Sequence, residues 1–170
     1  LQRIEIAGKA KNSDIVLIEI GGTAGEYQNV LFLEANRLLK LKKHNDVIHI
    51  HMSYLPIPRT LGEMKSKPVQ MSVRDLNAVG IQPDILLARA EIPIDGPRIK
   101  RLSFNTGIEA EDIIAAPDVT NIYEIPINFE EGHLTNRILT KLKLKRKNKD
   151  LIEELKEIQI SFVEGEGDMI

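Results

Sequence analysis

Ile15-Val-Leu-Ile-Glu-Ile-Gly-Gly-Thr-Ala-Gly25 is the stretch on which the fold turns. Its β-branched, almost wholly apolar run predicts a strand over residues 14–20, of the kind buried in a parallel sheet. The run carries one carboxylate, Glu19, and leads straight into a glycine turn. A charge in a buried strand needs a partner. At the carboxyl end of a strand, before a glycine loop, it points to a metal or nucleotide site. Two readings of Glu19 stand at this level. It caps the turn or pairs with a lysine, or it is a magnesium ligand beside a polyphosphate. Gly21, Gly22 and Gly25 let a ligand approach the backbone closely.

Working outward, Leu31, Phe32, Leu33, Ala35, Leu38 and Leu39 recur on helical spacing, which predicts a helix over Val30–Lys43. Asp46–Leu55 reads as the next strand, and Pro56 and Pro58 break it. Lys67-Pro68 opens a helix with Val69, Val73 and Leu76 on one face, ending near Gly80. Asp84–Ala90 is a third strand and Pro97–Phe104 a further helix. Glu109–Ile114 is a short helix or turn before a strand at Ile113–Ala116. Asn121–Ile127 holds an Ile-Tyr-Glu-Ile-Pro segment, and residues 129–142 read as one amphipathic helix. Strands alternating with helices predict an α/β fold: a mostly parallel sheet with flanking helices. The run Lys141–Lys149 is basic, a solvated linker or helix end. Asp150–Ile158 reads as a helix, and Gly165–Asp168 as a frayed terminus.

Composition narrows the chemistry. The 170 residues are 42% hydrophobic and 28% charged, which suits one globular domain. A net charge of −2 gives no general electrostatic case for nucleic acid. With 0 Cys, disulfides, zinc–thiolate sites and cysteine nucleophiles are excluded, and a cytoplasmic location is the expectation. No apolar run approaches the ~20 residues of a membrane span, and the first residues do not resemble a signal peptide. Position 1 is Leu, so the sequence reads as cut from something longer.

Gly62-Glu-Met-Lys65-Ser-Lys67-Pro-Val-Gln70 is the second informative segment. Two lysines two apart are ordinary solvated surface. Here they precede a helix start, where unpaired N–H groups and the helix dipole attract phosphate. Gln70 is placed to read a base or ribose edge. His49 and His51 alternate along a strand and face one side. No third ligand accompanies them, so packing or hydrogen bonding is the expected role. His44 and His133 sit in polar, surface-like settings. No Gly-x-x-x-x-Gly-Lys-[Ser/Thr] loop occurs, nor any Gly-x-Ser-x-Gly elbow.

Four segments then occur in order: Glu19–Gly25, Gly62–Gln70, Gly80-Ile-Gln-Pro-Asp-Ile-Leu86 and Asp118-Val-Thr-Asn-Ile-Tyr-Glu-Ile-Pro126. Together they resemble the amidoligase (synthetase) domain of the CTP synthase family, over roughly residues 12–145. The resemblance implies a C–N ligase of pyrimidine biosynthesis that aminates UTP to CTP. ATP phosphorylates the uracil 4-oxygen and ammonia displaces the phosphate. A glutamine amidotransferase (glutaminase) domain with a Cys-His-Glu triad supplies the ammonia, and CTP inhibits at the UTP triphosphate site. The implied fold is that of phosphate-loop NTPases and dethiobiotin synthetase, incomplete here.

Residue by residue, the resemblance implies Glu19 as a Mg2+ ligand. It implies Glu26, Tyr27, Gln28, Lys65, Lys67, Gln70 and Lys100 for UTP or CTP. It implies Arg89, Asp118 and Val119 around the adenine of ATP, and a homotetramer that builds the pyrimidine site across subunits. The sequence departs from the family's Gly-Asp-x-Glu at Gly25-Glu26-Tyr27-Gln28. It departs from Thr-Lys-Pro-Thr-Gln at Ser66-Lys67-Pro68-Val69-Gln70, and from Phe-Cys-Asn around Phe104-Asn105-Thr106. The expected organisation is a partial synthetase domain over 1–145. A linker helix and tail over 146–170 would lead toward an absent glutaminase domain, with the phosphate loop lying before Leu1. The chain is then expected to carry the UTP side of the site and to be inactive alone. The alternatives are a non-catalytic pyrimidine-nucleotide-binding or oligomerisation module, or another phosphate-loop ligase of the dethiobiotin-synthetase kind.

Overall fold

The computed structural model describes residues 2–60 and 62–146. Three strands, β1 (Ile50–Tyr54), β2 (Ile85–Ala90) and β3 (Ile113–Pro117), form a parallel sheet in the order β1-β2-β3. The register pairs Ile50 with Ile85 and Tyr54 with Arg89 on one side of β2. On the other side it pairs Leu86 with Ile113 and Ala90 with Pro117. Six α-helices accompany the sheet among the described residues: α1 (Gln2–Ala10), α2 (Val30–Lys42), α3 (Lys67–Ala78), α4 (Gly96–Thr106), α5 (Glu124–Glu131) and α6 (Leu134–Lys141).

The central strand is covered on both faces, which is why Ile-Leu-Leu-Ala reads as a continuous apolar run. Leu86, Ala88 and Ala90 pack with Val69 and Val73 of α3 and Leu102 of α4. Ile85 and Leu87, on the opposite face, pack with Leu134, Phe129 and Ile138 of α5 and α6. A third cluster, Leu33, Leu76 and Ile81 with Ile20 and Ala24, joins α2 and the glycine loop to the end of α3.

Local signals set the helix ends. Asp95 caps α4, its side chain accepting from the Arg98 N–H at 2.8 Å. The end of α3 is a Schellman motif: Gly80 N–H donates to Asn77 O and Ile81 N–H to Leu76 O, both at 2.9 Å. Gly80 has φ +78, and a Cβ there would lie 2.8 Å from Arg37 Cδ.

Three expectations are corrected. Residues 14–20 are not a strand. Ile15, Val16, Leu17 and Ile18 are 47%, 40%, 91% and 49% exposed. A cleft of ≈ 1340 Å³, lined by Val16, Ile18, His49, Ile50, Met52 and Ile138 among others, lies between this segment and β1. A ladder needs strands ~4.8 Å apart, so the backbones do not pair. The helix expected over 129–142 is two helices. α5 already starts at Glu124, with Pro126 tolerated in its first turn, and the chain breaks at Gly132 and His133 (φ 62). The strand expected over Asp46–Leu55 is shorter. Residues 47–49 lie outside the ladder, although His49 O accepts from Asp84 N–H at 2.8 Å. α1 had no sequence signal and buries no residue. The expected helix over Asp150–Ile158, most of the 146–170 tail and the end of the basic run lie outside the described residues.

Candidate functional site

In a parallel sheet, ligands bind beyond the carboxyl ends of the strands. Seven of the sequence's candidates follow or end the three strands, while Glu19 and Glu26–Gln28 belong to the loop packed against the far end of α3. Lys65, Lys67 and Gln70 follow β1 at the start of α3. Arg89 is next to last in β2, and Lys100 lies on the helix after it. Asp118 and Val119 follow β3 directly.

The glycine loop is built by its own side chains. Thr23 N–H and hydroxyl both donate to Glu26 Oε1 at 3.0 Å. Gln28 Nε2 donates to the other carboxylate oxygen at 2.6 Å. These bonds, the Thr23 backbone first, hold the Glu26 carboxyl below its usual pKa. Gly22 has φ +80, and a Cβ there would sit 2.4 Å from Glu26 Oε2. Buried Asn29 closes the loop from behind, its Nδ2 donating to Gly21 O at 2.8 Å and Thr23 O at 3.1 Å. Glu26 and Gln28 therefore face each other, while Tyr27 is 93% exposed. Glu19, just before the loop, is exposed and lines the cleft. The pairing argued from its burial does not arise.

Lys67 is exposed at the first position of α3, and none of the described ion pairs includes it. Lys65 pairs with Glu63 at 2.9 Å, and Gln70 Nε2 donates to Ser66 Oγ at 3.2 Å. The Glu63 carboxyl is held low first by its bond to Lys65, then by the Lys65, Arg98 and Arg101 charges. The start of α3 thus lies within electrostatic reach of α4. Arg98 and Arg101 add cations that the sequence reading did not single out. Lys100 is exposed on the same helix. One turn on, Phe104 is 89% exposed, and residues four apart share a helix face. The aromatic four positions after a lysine was the available signal. No described hydrogen bond or ion pair joins Glu26–Gln28 to Lys65, Lys67 or Lys100. The loop meets α3 farther along, where a Cβ on Gly25 would lie 3.8 Å from Asp75 Oδ2.

At the other end of the rim, Arg89 Nε donates to Asp118 Oδ1 at 2.8 Å. Asp118 N–H donates to Ala90 O at 2.8 Å, and Val119 is half-buried beside it. Bonding to Asp118 raises the Arg89 pKa further above neutrality.

The histidines behave as packing residues. His51 Nε2 and Ser72 Oγ are 2.9 Å apart, and burial lowers the His51 pKa. His49 is buried, its Nε2 unpartnered among the described residues. Burial lowers its pKa, with the Asp84 carboxylate opposing. Among the described residues no group of three or more His, Asp or Glu could hold a metal by itself, and no helix is long and apolar enough to cross a membrane.

Comparison with known proteins shows the family. Residues 1–144 match the family described as the CTP synthase N-terminus. The CTP synthase of Saccharolobus solfataricus is 39% identical over 161 residues, covering 94% of this chain and 29% of the relative. That of Methanococcus maripaludis is 44% identical over 150 residues, covering 87% and 28%. That of Bacillus velezensis is 38% identical over 152 residues, covering 89% and 28%. The chain thus spans under a third of the length of the curated relatives it matches. With the family match running along nearly the whole described chain, this protein belongs to the CTP synthase family, corresponding to its N-terminal region.

Proposed function

We propose that this chain is the pyrimidine-nucleotide-binding part of a CTP synthase, the enzyme that uses ATP to aminate UTP to CTP with glutamine or ammonia as nitrogen donor. The observation that carries this reading is Lys67, an exposed cation at the first position of α3, with Lys65 two residues before it. A helix N-terminus with flexible ammonium groups suits a triphosphate. Gln70 and Lys100 serve the same nucleotide. Arg89, Asp118 and Val119 form the ATP side.

Glu19 fits a magnesium–nucleotide complex as a single protein carboxylate. Magnesium takes one or two carboxylates and completes its shell with phosphate oxygens and water. Glu19 is exposed and lines the cleft beside β1, and none of the described ion pairs engages it. The ion would neutralise phosphate charge when bound. Glu26 and Gln28 hold the loop in shape, and Tyr27 is the member of that trio free to reach a ligand or a second subunit.

These 170 residues bind nucleotide without turnover, because they contain neither a phosphate-loop motif nor a cysteine for glutamine hydrolysis. Incubation with UTP, ATP, magnesium and ammonium tests this: CTP above a no-protein control contradicts it. A second reading, an oligomerisation module that forms the homotetramer, is favoured by exposed Tyr27, Leu31 and Phe32 (93%, 81% and 63%) at and after the loop. Light scattering separates the two, since a monomer that binds UTP supports the first alone.

A further inference from the structure

Tyr54 ends β1, in register with Arg89 of β2. Arg89 is in turn in register with Ala116 of β3, two residues before Asp118. Residues in register across parallel strands project to the same side, so Tyr54, Arg89 and Asp118 make one row over three adjacent strand ends. Helices α5 and α6 cover that side of β2 and β3. They leave β1 open: Ile50, Met52 and Tyr54 are 40%, 55% and 42% exposed.

We infer that Tyr54 is a further binding residue of this rim, offering its ring to the nucleoside part of ATP beside Arg89 and Asp118. The inference rests on the placement of ATP proposed above. The Tyr54 hydroxyl donates to Glu91 Oε1 at 3.3 Å, which ties the ring to the segment after β2. Burial and the Glu91 carboxylate raise the hydroxyl's pKa, so it stays a neutral donor at physiological pH. The result is a tethered aromatic surface next to a guanidinium held by its own carboxylate. An aromatic face stacks on any base, and a nearby carboxylate or hydroxyl accepts or donates at the ribose. Tripolyphosphate offers no such partner, so Tyr54 discriminates nucleotide from bare phosphate chain.

The chain has 0 Trp and 3 Tyr, so fluorotyrosine labelling gives three fluorine resonances, with Tyr54 assigned from Tyr54→Phe. Labelled chain is titrated with magnesium-ATP, magnesium-UTP and tripolyphosphate, and affinities are measured by calorimetry for wild type, Tyr54→Phe, Tyr54→Leu and Arg89→Ala. The expected result is a saturable shift of the Tyr54 signal with ATP alone. ATP affinity falls about tenfold in Tyr54→Leu and stays near wild type in Tyr54→Phe, while UTP affinity is unchanged in both. Equal ATP affinity in wild type and Tyr54→Leu, with loss in Arg89→Ala, overturns the role of Tyr54 and leaves the ATP placement standing. Loss of ATP and UTP together in Tyr54→Leu shows a general structural role and also overturns it. No ATP binding by a folded wild-type chain that still binds UTP overturns the ATP placement and this inference with it.

Discussion

Arg89 Nε donates to Asp118 Oδ1 at 2.8 Å, tying the end of β2 to the first residue beyond β3. Both side chains are well exposed, so the pair adds little to stability. Its value is positional: the guanidinium is held at the rim where the adenine is proposed to lie. Asp118→Ala is expected to leave the melting temperature nearly unchanged while weakening ATP binding several-fold and leaving UTP binding intact. Calorimetry and a thermal melt on the same sample check this. A large drop in melting temperature with unchanged ATP affinity would assign the pair to the scaffold.

A side chain at Gly22 is strained. The φ of +80 disfavours any side chain, and a Cβ there would lie 2.4 Å from a Glu26 carboxylate oxygen. Gly22→Ala is expected to cost about 1–2 kcal/mol from the left-handed backbone alone, and to release Glu26 from Thr23. Urea unfolding reads the first effect. The Thr23 amide chemical shift reads the second.

Asp112 is 1% exposed and takes Arg137 Nε at 2.8 Å and Lys141 Nζ at 2.7 Å, which anchors α6 to the segment before β3. Removing one member of a buried ion pair strands the others. Asp112→Ala is expected to destabilise by about 3 kcal/mol, the lower end of the usual range because both cations reach water. A change below the error of urea unfolding contradicts this.

Burial lowers the pKa of His49 and His51 below 6.5 in the folded chain. As pH falls below 6.5, the unfolded chain takes up these protons first. Stability is therefore full above the unfolded pKa and declines through the window below it. Urea midpoints at pH 7.5 and 5.5 are expected to differ, and His51→Gln is expected to reduce the difference. An equal midpoint at both values contradicts the burial of the two rings as neutral species.

Much of this fold is legible in the sequence, and the exceptions have physical causes. The α3 boundaries follow from Pro68 near the start and Gly80 at the end, and the three clusters of apolar residues at β1, β2 and β3 mark the strands. Residues 14–20 carry an equally strong strand pattern, but a pattern reports what a side chain can bury against. It does not report whether a neighbouring strand lies within ladder distance, and here a cleft does. The break at Gly132 was hidden because Leu134, Ile138 and Leu142 keep helical spacing across α6 and its end. In the site, the cations before α3 were legible as a helix-start motif. The clasp of Thr23, Glu26 and Gln28 was not, because a carboxylate's choice between a ligand and its own loop depends on loop geometry. Arg98 and Arg101 were missed for a similar reason, since their nearness to Glu63 is set by the packing of α3 on α4.

The most direct test is a calorimetric titration of the chain with magnesium-UTP beside Lys67→Ala, with circular dichroism showing both to be folded. Saturable binding by the wild type that falls at least tenfold in Lys67→Ala is the predicted result. Equal binding by both, or none by a folded wild type, would contradict the claim that the start of α3 holds the pyrimidine nucleotide.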